Sequence, residues 1–291
     1  MTHSEGQAQR LAEGITRLPN RHGRDFIEIE HPLVSARISL EGAHIVRCIP
    51  TGQKPLLWLS PQEPELPGIA LRGGIPLCWP WFGNQRSGPA HGIARTALWE
   101  LQEVVVQESG VHITLQLPMT AMPHQLPDEQ WKVRVRFELA KELTVALITT
   151  NSGKAEQALS QALHTYLPVS DITSCQINGL DGIEYLDQLT ALDEVQQGPV
   201  CVDEEMDRIY HGAIGTVEVC DADERIEVTG SGSRSTVVWN PWQAKSRRLS
   251  HFPAEGYQQM LCIETANAGA DTRILQPGET HTLSARIRRR V

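Results

Sequence analysis

A surplus of positive charge is the first thing this chain lacks. Its 26 lysines and arginines face 35 aspartates and glutamates, a formal net charge of -9 at pH 7 over 291 residues. Affinity for nucleic acid rests mainly on neutralising phosphates with clustered Lys and Arg, so a general polyanion binder is excluded. A small phosphate is a different matter, because two or three local arginines suffice to hold it. No run approaches the ~20 apolar residues of a membrane span, and the N-terminus (MTHSEGQAQRLAEGITRL) interleaves charges with apolar residues where a signal peptide would be apolar. The six cysteines (Cys48, Cys78, Cys175, Cys201, Cys220, Cys262) show no C-x-x-C spacing, which leaves neither a zinc knuckle nor a disulfide ladder. A reduced thiol such as Cys262, between Leu261 and Ile263, behaves as a small hydrophobe. These absences point to a cytoplasmic protein. A sequence repeat is also missing.

What is present is an ordinary globular composition, 40% hydrophobic and 21% charged. All-β sandwiches and α/β barrels run past about 200 residues as one unit, so one large domain is expected. Leu11, Ile15 and Leu18 share a helical face, which predicts a short N-terminal helix over residues 7–18. After that the period changes. Trp131, Val133, Val135, Phe137 and Leu139 alternate with Lys132, Arg134, Arg136 and Glu138, the repeat of a half-buried strand. Lys141-Glu142 then predicts a hairpin into residues 143–150. The same pattern recurs at residues 99–106 and 111–117, joined near Ser109-Gly110, and at residues 216–220, 226–229 and 236–239. Pro61 to Pro67 reads as a loop. Leu283, Ala285 and Ile287 alternate with polar neighbours near the C-terminus, so Arg286, Arg288, Arg289 and Arg290 read as the solvated face of a last strand. Strands following one another through short polar turns favour an antiparallel, all-β domain of sandwich or barrel type.

Charge placed in apolar or glycine-rich sequence marks the candidates for chemistry. Arg72 opens the stretch RGGIPLCWPWFG, whose two glycines permit positive φ or close backbone approach and whose Pro76 stiffens the residues after it. The stretch is either a tight turn beside a core of Trp79, Trp81 and Phe82, or a rigid turn aiming a guanidinium into an indole-walled pocket. Sugar faces stack on such rings, and arginine makes forked hydrogen bonds to hydroxyl or phosphate oxygens. His91 and Arg95 lie in a loop entering a strand, where a histidine is more often solvated or structural than catalytic. His164, if on a strand, shares its side with Tyr166. It is either a core histidine satisfied by a tyrosine or a backbone carbonyl, or a general acid suited to neutral pH. Glu264 ends an apolar strand, where an unpaired buried carboxylate is costly, so it must be paired, solvated in a cleft or functional. Asp207, beside Arg208 and two glutamates, reads first as a surface charge.

Six ordered segments, residues 72–83, 91–95, 162–166, 207–210, 238–242 and 262–267, together resemble the glucose-6-phosphate 1-epimerases. These are the D-hexose-6-phosphate mutarotases of the aldose 1-epimerase superfamily. The resemblance runs from about residue 25 to the C-terminus, leaving residues 1–24 as an extension before a 25–291 domain. It implies a galactose-mutarotase-like antiparallel β-supersandwich and interconversion of the α and β anomers of a hexose 6-phosphate. It further implies His164 as catalytic acid, Glu264 as catalytic base, and Arg72, His91, Arg95 and Asp207 as substrate-binding positions, with no metal or nicotinamide required. Some relatives carry glutamine before the histidine of the second segment; here that place is Ala90, so any side-chain contact from it is absent. Arg95 is the first choice for the phosphate, with Lys245, Arg247 and Arg248 as further candidates unless they lie on a solvated loop. The expected partner is a small sugar phosphate, and a monomer is the default. Two other readings are a non-catalytic carbohydrate-binding protein on the same fold, and a metal enzyme using His91, His164 and Glu264, for which a tight H-x-H pair is missing.

Overall fold

In the computed structural model, which describes residues 8–118, 130–212, 215–222 and 224–290, the alternating segments become antiparallel strands. Trp131–Leu139 pairs with Leu143–Asn151 through the expected turn, burying Trp131, Val133, Val135, Phe137 and Leu139 and exposing the residues between them. The strands Glu100–Gln107 and Gly110–Leu117 continue the same sheet outward. On its other side follow Thr280–Arg290, Glu224–Ser231, Thr216–Asp221 and Gln176–Asn178, completing eight strands. Arg286, Arg288 and Arg290 do share one face of the final strand, whereas Arg289 alternates to the other face and its side chain is largely buried. They are ion-paired, Arg288 and Arg290 with Glu227 and Arg289 with Glu224.

A second eight-stranded sheet runs in the order Leu192–Val195, Glu184–Asp187, Met206–His211, Ser235–Asn240, Met260–Asn267, Gln161–Leu163 and Leu77–Cys78, with Tyr166–Pro168 pairing off its path to Met260–Asn267. Five strands between residues 9 and 50 make a third sheet, and Gln157–Leu159 pairs with Arg273–Leu275. The galactose-mutarotase-like β-sandwich expected above is therefore the architecture observed. Among the described residues helix is confined to Trp242–Ser246 and short 3-10 turns.

The N-terminal helix is not there. Gln9–Ala12 and Ile15–Pro19 are the two strands of a hairpin, and the second pairs with Asp25–His31, so these residues extend the sheet formed by residues 25–50. The spacing of Leu11, Ile15 and Leu18 fits a helix by number alone, but Gly14 sits in a turn at φ 67° and the chain reverses there. Ile15 is buried and Leu18 is 39% exposed, so the three do not share a face.

The second sheet is apolar on both sides, and this positions the site. Along Met260–Asn267 every residue is buried. Leu261 and Ile263 join the main core with Leu163 and Val238, while Met260, Cys262 and Ala266 join a second cluster with Tyr166, Val237, Trp239 and Phe252. Glu264 falls on this second side by the two-residue alternation of a strand.

Candidate active site

His164 occupies the junction between Gln161–Leu163 and Tyr166–Pro168, both paired to the strand that carries Glu264. Leu163 stands opposite Thr265 and Tyr166 opposite Cys262, a register that places His164 across from Glu264. The two side chains meet with His164 Nε2 3.4 Å from Glu264 Oε1. They are 8% and 1% exposed, and His164 Nδ1 and Glu264 Oε2 are buried without a hydrogen-bond partner. A core histidine satisfied by its neighbours would not leave Nδ1 in that state. The His164 ring instead stacks on Tyr166, with centroids 4.8 Å apart, and meets Trp239 edge-on at 5.8 Å.

Burial dominates the electrostatics of this pair. It holds the His164 imidazole well below its ordinary pKa, aided by His91, Arg95 and Arg72, and it pushes the Glu264 carboxyl well above its own, aided by Asp207. Both groups are thereby driven toward their neutral forms. The pair still holds one transferable proton across a short gap.

A cavity of about 520 Å³ opens above the pair, and its lining includes all six residues expected from the sequence: Arg72, His91, Arg95, His164, Asp207 and Glu264. Two of them arrive on a constrained backbone. Gly73 and Gly74 follow Arg72 with φ of 112° and 62°, and a Cβ on Gly74 would lie 2.2 Å from the Ile45 carbonyl oxygen. Only glycine brings the Arg72 turn so close to the five-stranded sheet of residues 9–50. His91 is left-handed at φ 64°, and Gly92 behind it packs so that a Cβ would lie 2.1 Å from the Trp79 carbonyl oxygen. His91 Nδ1 accepts a hydrogen bond from the Gly83 amide, which leaves Nε2 as the donor of a neutral ring. Burial, with Arg95 and Arg72, lowers the His91 pKa to about 4, so the ring is uncharged at neutral pH. Arg95 donates to the Ala90 carbonyl at 2.7 Å, so residue 90 contributes through its backbone.

Asp207 is no plain surface charge. It is reached by the Gln188 amide, lies 4.0 Å from Lys245 Nζ, and has its carboxyl pKa raised by burial against the lowering effect of Lys245. Lys245 lines the cavity but is engaged by Glu205 at 2.9 Å. Arg247 and Arg248 do not line it. Among the described residues neither Arg72 nor Arg95 has a carboxylate within ion-pair distance. Two cationic wall residues are thus left without a counter-ion among those residues. Gln188, Phe82 and Trp239 also line the wall. Phe82 and Trp239 lay in segments singled out by the resemblance, whereas nothing around Gln188 distinguished it from an ordinary turn residue.

The family model for aldose 1-epimerase matches residues 25–288. The chain belongs to the aldose 1-epimerase family. A curated relative from Salmonella typhimurium, named "Putative glucose-6-phosphate 1-epimerase", is 32% identical over 252 residues, covering 84% of each chain. Another of the same name from Escherichia coli is 32% identical over 263 residues, 88% of each. Among solved structures, a mutarotase from Salmonella typhimurium, described as putative, superposes with a TM-score of 0.89 at 29% identity, covering 97% of this chain and 95% of the other. A galactose mutarotase-like protein from Clostridium acetobutylicum has a TM-score of 0.74 at 14% identity, covering 95% and 98%, and shares the fold. As an aldose 1-epimerase the chain is an isomerase acting on a sugar, a small-molecule substrate.

Proposed function

We propose that this epimerase interconverts the α and β anomers of hexose 6-phosphates, glucose 6-phosphate foremost, with His164 as acid and Glu264 as base. The observation that carries the reading is the pairing of two features in one cavity: a buried imidazole and carboxyl 3.4 Å apart, and two guanidiniums with no carboxylate of their own among the described residues. A guanidinium can also bond neutral hydroxyls, but a phosphate dianion supplies the counter-charge that these arginines lack.

The proton steps balance. The Glu264 carboxylate takes the proton of the C1 hydroxyl, the C1–O5 bond breaks, and its electron pair goes to O5 as the His164 imidazolium delivers a proton there. The product is the open-chain aldehyde. After rotation about C1–C2 the same steps run backwards: O5 attacks the other face of C1, His164 takes back its proton and Glu264 returns one to the carbonyl oxygen. The enzyme ends as it began, with no other reactant consumed.

Substrate charge fits this proton inventory. Besides burial, His91, Arg95 and Arg72 keep the proton off His164. A phosphate seated on Arg95 cancels part of that repulsion and favours the imidazolium in the complex. The neutral His91 Nε2–H, Arg72 and Asp207 hold the hydroxyls while the chain is open, and the indole of Trp239 offers a face to the ring. The test is anomer exchange of glucose 6-phosphate followed by NMR. Catalysed exchange of the phosphate well above that of free glucose supports the reading. Equal rates on both would assign the cationic wall to another purpose.

A further inference from the structure

Cys262 is a chemically competent group beside the acid and base that the proposed reaction leaves unused. It stands two residues before Glu264 on one strand, so both side chains leave the same face, and it pairs across the ladder with Tyr166, two residues beyond His164. A nitrogen of His164, the Cys262 sulfur and a Glu264 oxygen all lie within 4.8 Å of one another, and all three residues are buried. In a tetrahedral zinc site with bonds of about 2.0–2.3 Å, ligand atoms stand about 3.3–3.8 Å apart. The His164–Glu264 separation of 3.4 Å already falls in that interval.

We infer that His164, Cys262 and Glu264 form a reversible binding site for a soft divalent cation of the Zn²⁺ class, and that an ion seated there closes the pocket to sugar. Three features of the site carry this. The donors are one imidazole, one thiol and one carboxyl, a set suited to Zn²⁺ rather than to Mg²⁺, which demands octahedral oxygen coordination. The buried, unpartnered Glu264 Oε2 marks a carboxyl that the protein alone does not satisfy. His164 and Glu264 line the cavity, so an ion held by the three side chains has a fourth position open to water from that side. As the Sγ–Zn bond forms, the thiol proton leaves to solvent. The inhibitory consequence rests on the function proposed above; the binding does not.

Binding is read without reference to turnover. Metal-free protein is titrated with CoCl₂, and a thiolate-to-cobalt charge-transfer band is sought in the near ultraviolet. ZnCl₂ then displaces the cobalt in competition with a chelating dye. Wild type and Cys201→Ser, which removes the exposed cysteine, are expected to show the band. Cys262→Ala is expected to lose it and to bind Zn²⁺ at least about a hundredfold more weakly, since outer-shell changes alone cost about 10–100-fold. Cys262→Ser, closer in size to the native side chain, must also lose the band, and thermal melting of both variants checks that they are folded. MgCl₂ should not displace cobalt. Absence of the band from wild type, its persistence in a folded Cys262 variant, or displacement by Mg²⁺ at concentrations comparable to Zn²⁺ overturns the site. If the site is real and the epimerase reading holds, glucose 6-phosphate weakens Zn²⁺ binding and Zn²⁺ inhibits exchange competitively. A wild-type band that the sugar phosphate leaves untouched would count against the function, not the metal site.

Discussion

Replacing Glu264 by glutamine separates two physical accounts of the His164–Glu264 pair. Glu264 is 1% exposed, its Oε2 lacks a partner, and burial pushes its carboxyl well above the ordinary range. A buried polar atom left unsatisfied costs about 1–3 kcal/mol. Glutamine keeps the shape, cannot ionise, and can turn a donor toward an acceptor that the carboxylate could not use, so a gain of about 1–3 kcal/mol is expected. With an unfolding entropy of about 2.1 cal/mol/K per residue, a chain of 291 residues gains about 1.6 °C per kcal/mol, or about 2–5 °C in Tm. The same change removes the proposed base, and anomer exchange should fall at least about a hundredfold. Scanning calorimetry and NMR exchange on one preparation read both. Were the pair a net-stabilising buried ion pair, losing one partner would cost about 3–5 kcal/mol and lower the Tm by about 5–8 °C. A lower Tm therefore refutes the burial argument, and near-normal exchange removes Glu264 from the mechanism.

His164→Ala should likewise reduce exchange at least about a hundredfold, and a loss of less than about tenfold by NMR would exclude it as the acid. Arg95→Ala should raise KM for glucose 6-phosphate far more than for glucose; equal changes on both substrates would assign Arg95 to the ring or to the fold. Gly92→Ala should destabilise by at least about 2 kcal/mol in urea unfolding, because its φ of 75° and the Trp79 carbonyl both exclude a Cβ, and a cost below about 0.5 kcal/mol would contradict the packing described. Burial lowers the His44 pKa from 6.5 to about 4 while its Nε2 holds the Gly73 carbonyl at 2.7 Å. Its stabilising effect is fully present above the unfolded pKa, and is lost as pH falls from about 6.5 toward 4 because only the unfolded chain takes up the proton there. Relative to His44→Gln, wild type should lose about 2–3 kcal/mol between pH 7 and 4.5 by urea unfolding; parallel pH profiles would sink the assignment.

Strand identity was legible because alternation is local. Trp131 to Leu139 announces a half-buried strand whatever it pairs with, and Glu264 in an apolar run demands an explanation before any partner is known. Residues 7–18 show the limit of such reading, since apolar spacings of four and three suit a helix and a tight hairpin alike, and only the turn at Gly14 decides. The candidate site was legible residue by residue and not as a constellation. Nothing near His164 states that it will lie across from Glu264, because that register is set by a ladder between segments separated along the chain by other strands of the same sheet. Gln188 was silent for the same reason: its contact with Asp207 is made by the pairing of Glu184–Asp187 with Met206–His211. That Arg72 and Arg95 lack a carboxylate among the described residues was invisible in sequence too, since whether an arginine finds one is a fact of packing.

The strand Met260–Asn267 belongs to the central hydrophobic body through Leu261 and Ile263 and to the pocket through Glu264. Adjacent side chains along one extended backbone therefore serve alternately as ballast and as reagent, with a single peptide unit between them. The floor of the pocket has no freedom to breathe apart from the whole protein, so amide hydrogens around Glu264 should exchange only with global opening, and accommodation to differently shaped sugars must fall to the walls. Directed evolution toward new substrates would then enrich changes around Gln188 and residues 83–90 and leave the floor alone.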